Sequence, residues 1–163
     1  MKKSFVIDSC YTILNNVTPL NFDCGQLCNG KCCKGDEGLG MLLFPGEEEF
    51  IDESINVTVN KDGTSVAVCN GSCNRQKRPL SCRIYPLFPL IKNENGKEYI
   101  EVIYDPRAKC PLCLGEHKLS RRFLKAVKRV GKYLLCNEET EKAYREISDE
   151  INDILKLQEL FSQ

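Results

Sequence analysis

Four of the ten residues from Cys24 to Cys33 are cysteines (Cys24, Cys28, Cys32 and Cys33), and those between them are glycine, polar residues and one leucine. A packed core has little use for thiols in that setting. A thiophilic metal does, because soft thiolates at short spacings close around Zn²⁺, iron or an iron–sulfur cluster without long loops. A second group is Cys69-Asn-Gly-Ser-Cys73 with Cys82 beyond it, and a third is Cys110-Pro-Leu-Cys113. Cys10 and Cys136 stand alone. Gly25, Gly30 and Gly71 fall inside the short intervals, where glycine lets the backbone turn tightly at no steric cost. Neighbouring side chains diverge, so Cys32 and Cys33 do not both suit one mononuclear ion; one of them serves a second centre, a multinuclear cluster or the core. Lys31, Lys34, Arg75, Lys77, Arg78 and Arg83 lie within or beside these groups, where cations lower thiol pKa and offset the negative charge of a thiolate centre.

The redox setting decides how such thiols are read. The opening Met1-Lys-Lys-Ser-Phe-Val-Ile-Asp8 is basic, but its apolar run stops at Asp8, too short for a secretory signal. No stretch approaches the roughly 20 apolar residues that cross a bilayer. The expected location is therefore cytoplasmic, with no membrane partner and with thiols kept reduced, where cysteine clusters mean metal or redox chemistry. The 11 cysteines are an odd number, in a chain with one histidine and no tryptophan. With 23 basic and 23 acidic residues the charge is balanced, so no global polyelectrolyte argument points to nucleic acid or an anionic surface.

The positioning elements follow from periodicity. At 163 residues one domain is expected, with a cysteine-cluster region over 20–115 and a helical hairpin over 118–161. The first 23 residues read as an irregular or strand-like lead-in. Met41 to Phe44 read as extended, and the acidic run after Pro45 predicts a short helix over 46–53. Residues 55–60 and 65–69 alternate with period two around Lys61-Asp-Gly-Thr64, a hairpin pattern; Leu87–Lys92 and Tyr99–Tyr104 around Asn93-Glu-Asn-Gly96 form a second. Leu124, Val127, Val130 and Leu134 then draw a helical stripe, and Asn137 caps a second helix whose stripe is Ala143, Ile147, Ile151, Ile154 and Leu155. The fold class is α+β: small antiparallel β hairpins with cysteine-rich metal-binding loops and a C-terminal antiparallel helical hairpin.

The run from Cys24 to Cys33, then Cys69-x₃-Cys73, then Arg78-Pro79-Leu-Ser-Cys82-Arg83-Ile-Tyr85-Pro86, and finally Cys110-Pro resembles the YkgJ-type cysteine-cluster family. That family is described as a zinc- or iron-chelating domain and is named for a CxxCxxCC motif. The Arg-Pro-x-x-Cys-Arg-x-Tyr-Pro run is the most specific part, and the resemblance covers about residues 22–113. Here each interval of the first motif is one residue longer, Cys-x₃-Cys-x₃-Cys-Cys. Flagellin lysine-N-methylases carry a similarly loosened version, and the chain is similar to their cysteine-cluster portion alone. The resemblance implies metal or cluster binding by Cys24, Cys28, Cys32, Cys33, Cys69, Cys73, Cys82 and Cys110, with Cys113 added here as the partner of Cys110. It implies a protein substrate and a protein-modifying activity only by way of the methylases.

Other functions find weaker footing. Gly35-Asp-Glu-Gly-Leu-Gly40 has the wrong spacing and flanks for a dinucleotide or S-adenosylmethionine loop and reads as connection. His117 is alone and reads as a surface residue at a helix start, with a ligand role as the alternative. A redox role for Cys110 and Cys113 needs a helix N-terminus at the first cysteine, which Pro111 and a later helix start do not supply. Lys118, Arg121, Arg122, Lys125, Lys128, Arg129 and Lys132 make one helix face basic, with no acid between Glu116 and Glu138. Glu146, Asp149, Glu150 and Asp153 make the next helix acidic. Solvated faces, or charge pairing within the hairpin, are favoured over a zinc-stabilised nucleic-acid-binding module.

Overall fold

The computed structural model describes residues 1–33, 40–69, 71 and 73–162, with Cys33 entering through its backbone alone. The glycine-rich stretch over 34–39, with Lys34 and the connection read there, lies outside the described residues, as do Asn70 and Ser72 between the second pair of cysteines.

Among the described residues, five α-helices and five strands carry the fold. The chain opens with α1, Lys3–Leu14, which corrects the irregular lead-in expected for this region. Val6, Ile7, Cys10, Tyr11 and Leu14 are its buried residues, at helical spacings of one, three, one and three. Around Glu47, the helix expected over 46–53 is a single 3-10 turn, Glu47–Phe50. Strands β2, Ile55–Val59, and β3, Ser65–Cys69, pair antiparallel as the alternation predicts, with Ile55 opposite Cys69. A two-residue strand β1, Met41–Leu42, adds to the other edge of β3, giving the order β1-β3-β2. This sheet has its own small core of Leu43, Ile55 and Ala67.

The second hairpin is longer than the sequence pattern indicates: β4, Leu87–Glu94, and β5, Lys97–Tyr104, pair from Leu87 opposite Tyr104 to Glu94 opposite Lys97. Asn95 and Gly96, at φ 53° and 78°, form the two-residue turn, and their positive φ values are what a tight hairpin needs. Helix α4, Arg121–Leu134, packs most extensively on α1 and also on β4 and β5. It buries Phe123, Ala126, Val127, Val130, Gly131 and Leu134. Helix α5, Glu138–Phe161, begins at Asn137, whose side chain accepts from the Glu139 and Thr140 amides at 3.1 and 3.3 Å. Tyr144 of α5 is fully buried and donates to the Pro89 carbonyl of β4. Together α1, β4, α4 and α5 enclose the main core, which also takes in Leu80 and Ile84 of a short helix, α3, Leu80–Ile84. The molecule is α+β, and among the described residues no helix is long and apolar enough to cross a membrane.

Candidate metal centre

The first cysteine group is built on one helical turn, α2, Gly25–Cys28. Cys24 is its N-cap and Cys28 its last residue, so the Cys-x₃-Cys interval becomes an i, i+4 pair on one helical face. Asp23 Oδ1 accepts from the Gly25 amide at 3.0 Å and fixes the entry. Asn29 and Gly30 follow in the left-handed region, at φ 53° and 64°, and the Gly30 amide returns to the Gly25 carbonyl at 3.0 Å. That reversal leads into a 3-10 turn, Lys31–Cys33, whose Cys32 lines the same cleft as the helical pair. The three-residue interval between Cys24 and Cys28 thus spans one helical turn.

Cys82 arrives on α3, whose N-terminal Leu80 amide donates to the fully buried carboxylate of Glu47. Glu47 also accepts from Tyr11 Oη at 3.0 Å and from the Phe44 amide at 2.9 Å, so one side chain joins α1, the 3-10 turn and α3. Burial pushes its carboxyl up to about 7 against those three hydrogen bonds, which favour the ionised form. Arg83, next to Cys82, lies with its guanidinium 4.3 Å from the centre of the Tyr11 ring. It also donates to three carbonyls, of Arg78 at 2.8 Å, Gln76 at 2.6 Å and Arg75 at 3.2 Å. Arg83 thereby ties the 3-10 turn Arg75–Lys77 to the helix carrying Cys82. The run ends at a cis Tyr85–Pro86 peptide bond.

The third group sits on a 3-10 turn, Pro111–Leu114, which begins at Cys110 and is anchored by buried Leu112. The Cys113 amide donates to the Cys110 carbonyl at 3.0 Å. The sequence places no helical start here, and this one-turn helix is the difference. Burial nevertheless raises both thiols, opposite to the depressed pKa a reactive dithiol uses.

These three segments meet. A cleft of about 530 Å³ is lined by five thiols, those of Cys24, Cys28, Cys32, Cys82 and Cys110. Arg75, Arg78, Arg83, Lys31 and Lys109 stand in the same walls. The Cys24 thiol is raised by burial, with Arg78 and Arg75 acting the other way. Burial pushes Tyr85 up to about 12, while the Lys109 amide donates to its hydroxyl. Cys69 and Cys73 are not in the cleft wall: Cys69 ends β3, and Cys73 packs on the small core of the three-stranded sheet while accepting from Arg78 Nε at 3.4 Å. Cys113 adjoins Cys110 without lining the cleft, and His117 is not among the lining residues either. Cys10 is a core thiol between α1 and α4, raised to about 12 by burial, and Cys136 is exposed at the end of α4.

Among the described residues, no three cysteine, histidine or carboxylate side chains already stand as a group that could hold one ion. The five thiols ring a cleft; they do not converge on a point. As a donor set they fit a thiophilic centre: all sulfur, from three chain segments, with cations around them. The ten cysteines whose side chains are described are not joined to one another by disulfides.

Sequence reasoning did not anticipate the first wall of the cleft, which comes from Asn15, Asn16 and Val17 at the end of α1. Nor did it find Glu47, where the only signal was an acid immediately after Pro45-Gly46. No family model matches the chain, and no curated protein or solved structure does.

Proposed function

We propose that this protein binds a thiophilic metal, zinc or iron, the latter alone or as an iron–sulfur cluster, through Cys24, Cys28, Cys32, Cys82 and Cys110, in the manner of the YkgJ-type family it resembles. One observation carries this reading: five cysteines from three separate chain segments line one cleft whose walls also hold five cationic residues. A bound metal supplies bonds that fasten the three segments to one another, and for a closed thiolate site that is worth on the order of 10–16 kcal/mol of apparent binding energy. The chain's own residues arrange the cleft. The α2 turn pairs two sulfurs, Glu47 and Arg83 hold the helix bearing Cys82, and buried Leu112 anchors the turn bearing Cys110. A cytoplasmic location is part of this reading: it keeps thiols reduced and so available to a metal.

Anaerobic purification followed by metal and acid-labile sulfide analysis, with an absorption spectrum, tests it. Stoichiometric zinc without sulfide makes the centre a zinc site; iron with sulfide and broad visible absorbance makes it a cluster. Protein that takes up neither after anaerobic reconstitution overturns the proposal.

A further inference from the structure

A second groove lies between α1 and α4; it adjoins the thiol cleft, sharing Asn15 and Val17 with its wall, but no cysteine lines it. Four of the nine residues lining it are cations, Arg121, Arg122, Lys125 and Arg129, and Thr12 and Asn15 face them from α1. All four are exposed. Lys128 and Lys132 continue the same face of α4, so six cations fall within about one third of the helix circumference. From Arg121 to Lys132 they cover about 16 Å at 1.5 Å per residue.

Charge pairing within the helical hairpin does not absorb them. Among the described residues none of the six takes part in an ion pair. Four acids of α5 pair with other cations: Glu139 with Lys3, Glu141 with Arg145, Glu150 with Arg107 at 3.5 Å and Asp153 with Lys156 at 3.1 Å. Arg121 and Arg122 also stand in the first turn of α4, which holds no acid, so they oppose the helix dipole. Six like charges on one face at a helix N-terminus and beyond are unfavourable for the free protein, and an anionic ligand would relieve that.

We propose that this groove binds the phosphodiester backbone of a nucleic acid without reading its sequence. A linear row of cations matches a linear polyanion. Three of the four groove cations are arginines, whose planar fork suits phosphate oxygens, and Thr12 and Asn15 are of the hydroxyl and amide types that contact backbone phosphates. A membrane surface fits less well, since none of the exposed large hydrophobic residues lies on α4 or in the groove to insert between lipids.

The test is fluorescence anisotropy of the full, metal-loaded chain with a labelled 20-mer of single-stranded RNA and with duplex DNA of the same length, over a salt series. Contacts to four phosphates give log–log salt slopes of about −3.6 on a duplex and about −2.8 on a single strand, or about 50- to 150-fold weaker binding between 50 and 200 mM salt. The double variant Arg122→Glu, Arg129→Glu is expected to lose this binding while keeping the metal content and melting temperature of the parent. Parallel arms use a polyglutamate peptide and anionic phosphatidylserine vesicles. Tighter binding to either than to nucleic acid overturns the proposal, as does a flat salt response or a variant that binds as well as the parent.

Discussion

For the ten cysteines whose side chains are described, the expected role follows from where the sulfur stands, and the cleft divides them into groups that can be tested singly. Cys28 and Cys82 line the cleft from different segments, so Cys28→Ser and Cys82→Ser are each expected to abolish stoichiometric metal, measured by elemental analysis after anaerobic purification. Cys136 is exposed just beyond the end of α4 and does not line the cleft, and Cys136→Ser is expected to retain full metal content. Cys10 separates binding from folding. Its thiol is wholly buried, 3.9 Å from the Val130 carbonyl. Cys10→Ser is therefore expected to keep the metal and lose about 1–3 kcal/mol of stability in a denaturant titration, the cost of putting a hydroxyl where a weakly polar sulfur sat. Loss of metal in Cys136→Ser, or its retention in Cys82→Ser, would sink this assignment of ligands. Thiol spacing was informative in the sequence because metal ligation is local. It did not separate Cys73 from Cys82, because the eight intervening residues, a 3-10 turn and the start of α3 among them, decide which of the two faces the cleft.

Between the elements, two side chains fix the geometry on which those ligands depend. Glu47 links α1, the 3-10 turn and α3, and burial holds its carboxyl at about 7 instead of the usual 4.5. The folded state then binds the proton more tightly than the unfolded chain, so this group's contribution is full below pH 4.5 and is lost as pH rises through about 7. The expected loss across that window is about 3 kcal/mol, read from denaturant midpoints at several pH values. Glu47→Gln should flatten that part of the profile and lower stability at pH 5, since an amide cannot accept from all three donors. An unchanged profile would show that Glu47 is not the titrating group. Gly131 plays the second part: a Cβ there would stand 2.7 Å from Tyr144 Oη and 2.9 Å from Pro89 Cβ. Alanine is the better helix former by about 1 kcal/mol, yet Gly131→Ala is expected to destabilise by about 1–3 kcal/mol because the α4–hairpin–α5 junction cannot open locally. The long elements were readable because Val127, Val130 and Leu134, or Asn95-Gly96, carry their own periodicity or turn chemistry. Helix α1 was not, since Val6, Ile7, Tyr11 and Thr12 have β-branched or aromatic side chains and no N-cap side chain marks the start. It is helical because burying one face on α4 outweighs propensity.

At the scale of the whole molecule, the cleft lies at the margin of a core that does not need it. Among the described residues the main core gathers 21 buried ones from α1, α3, β4, α4, α5 and the segments between them, and a chain of 163 residues buries roughly 70% of its extended surface without staples. The walls of the cleft are mixed: α3 and the turn after Cys110 are tied into the core by Leu80, Ile84 and Leu112. By contrast, no residue of α2 or of the 3-10 turn Arg75–Lys77 is buried, and each of these two is held by a handful of hydrogen bonds. Stability is therefore graded from core to cleft, with the lowest protection expected at α2 and that turn. Removing the metal with a chelator under reducing conditions is expected to leave far-UV circular dichroism nearly unchanged, because the long helices α1, α4 and α5 stay packed. Amide exchange is expected to rise at 24–33 and 74–82 and to remain slow in α4, and re-addition of metal should restore protection. Cooperative loss of helix on chelation would show instead that the cleft nucleates the fold, placing the protein with the small zinc domains that have no folded apo state. Slow exchange retained at 24–33 would mean that Asp23, Asn29 and Gly30 suffice to hold α2 without a metal, and the cleft would then be a preformed site that gains affinity because no ordering is required on binding.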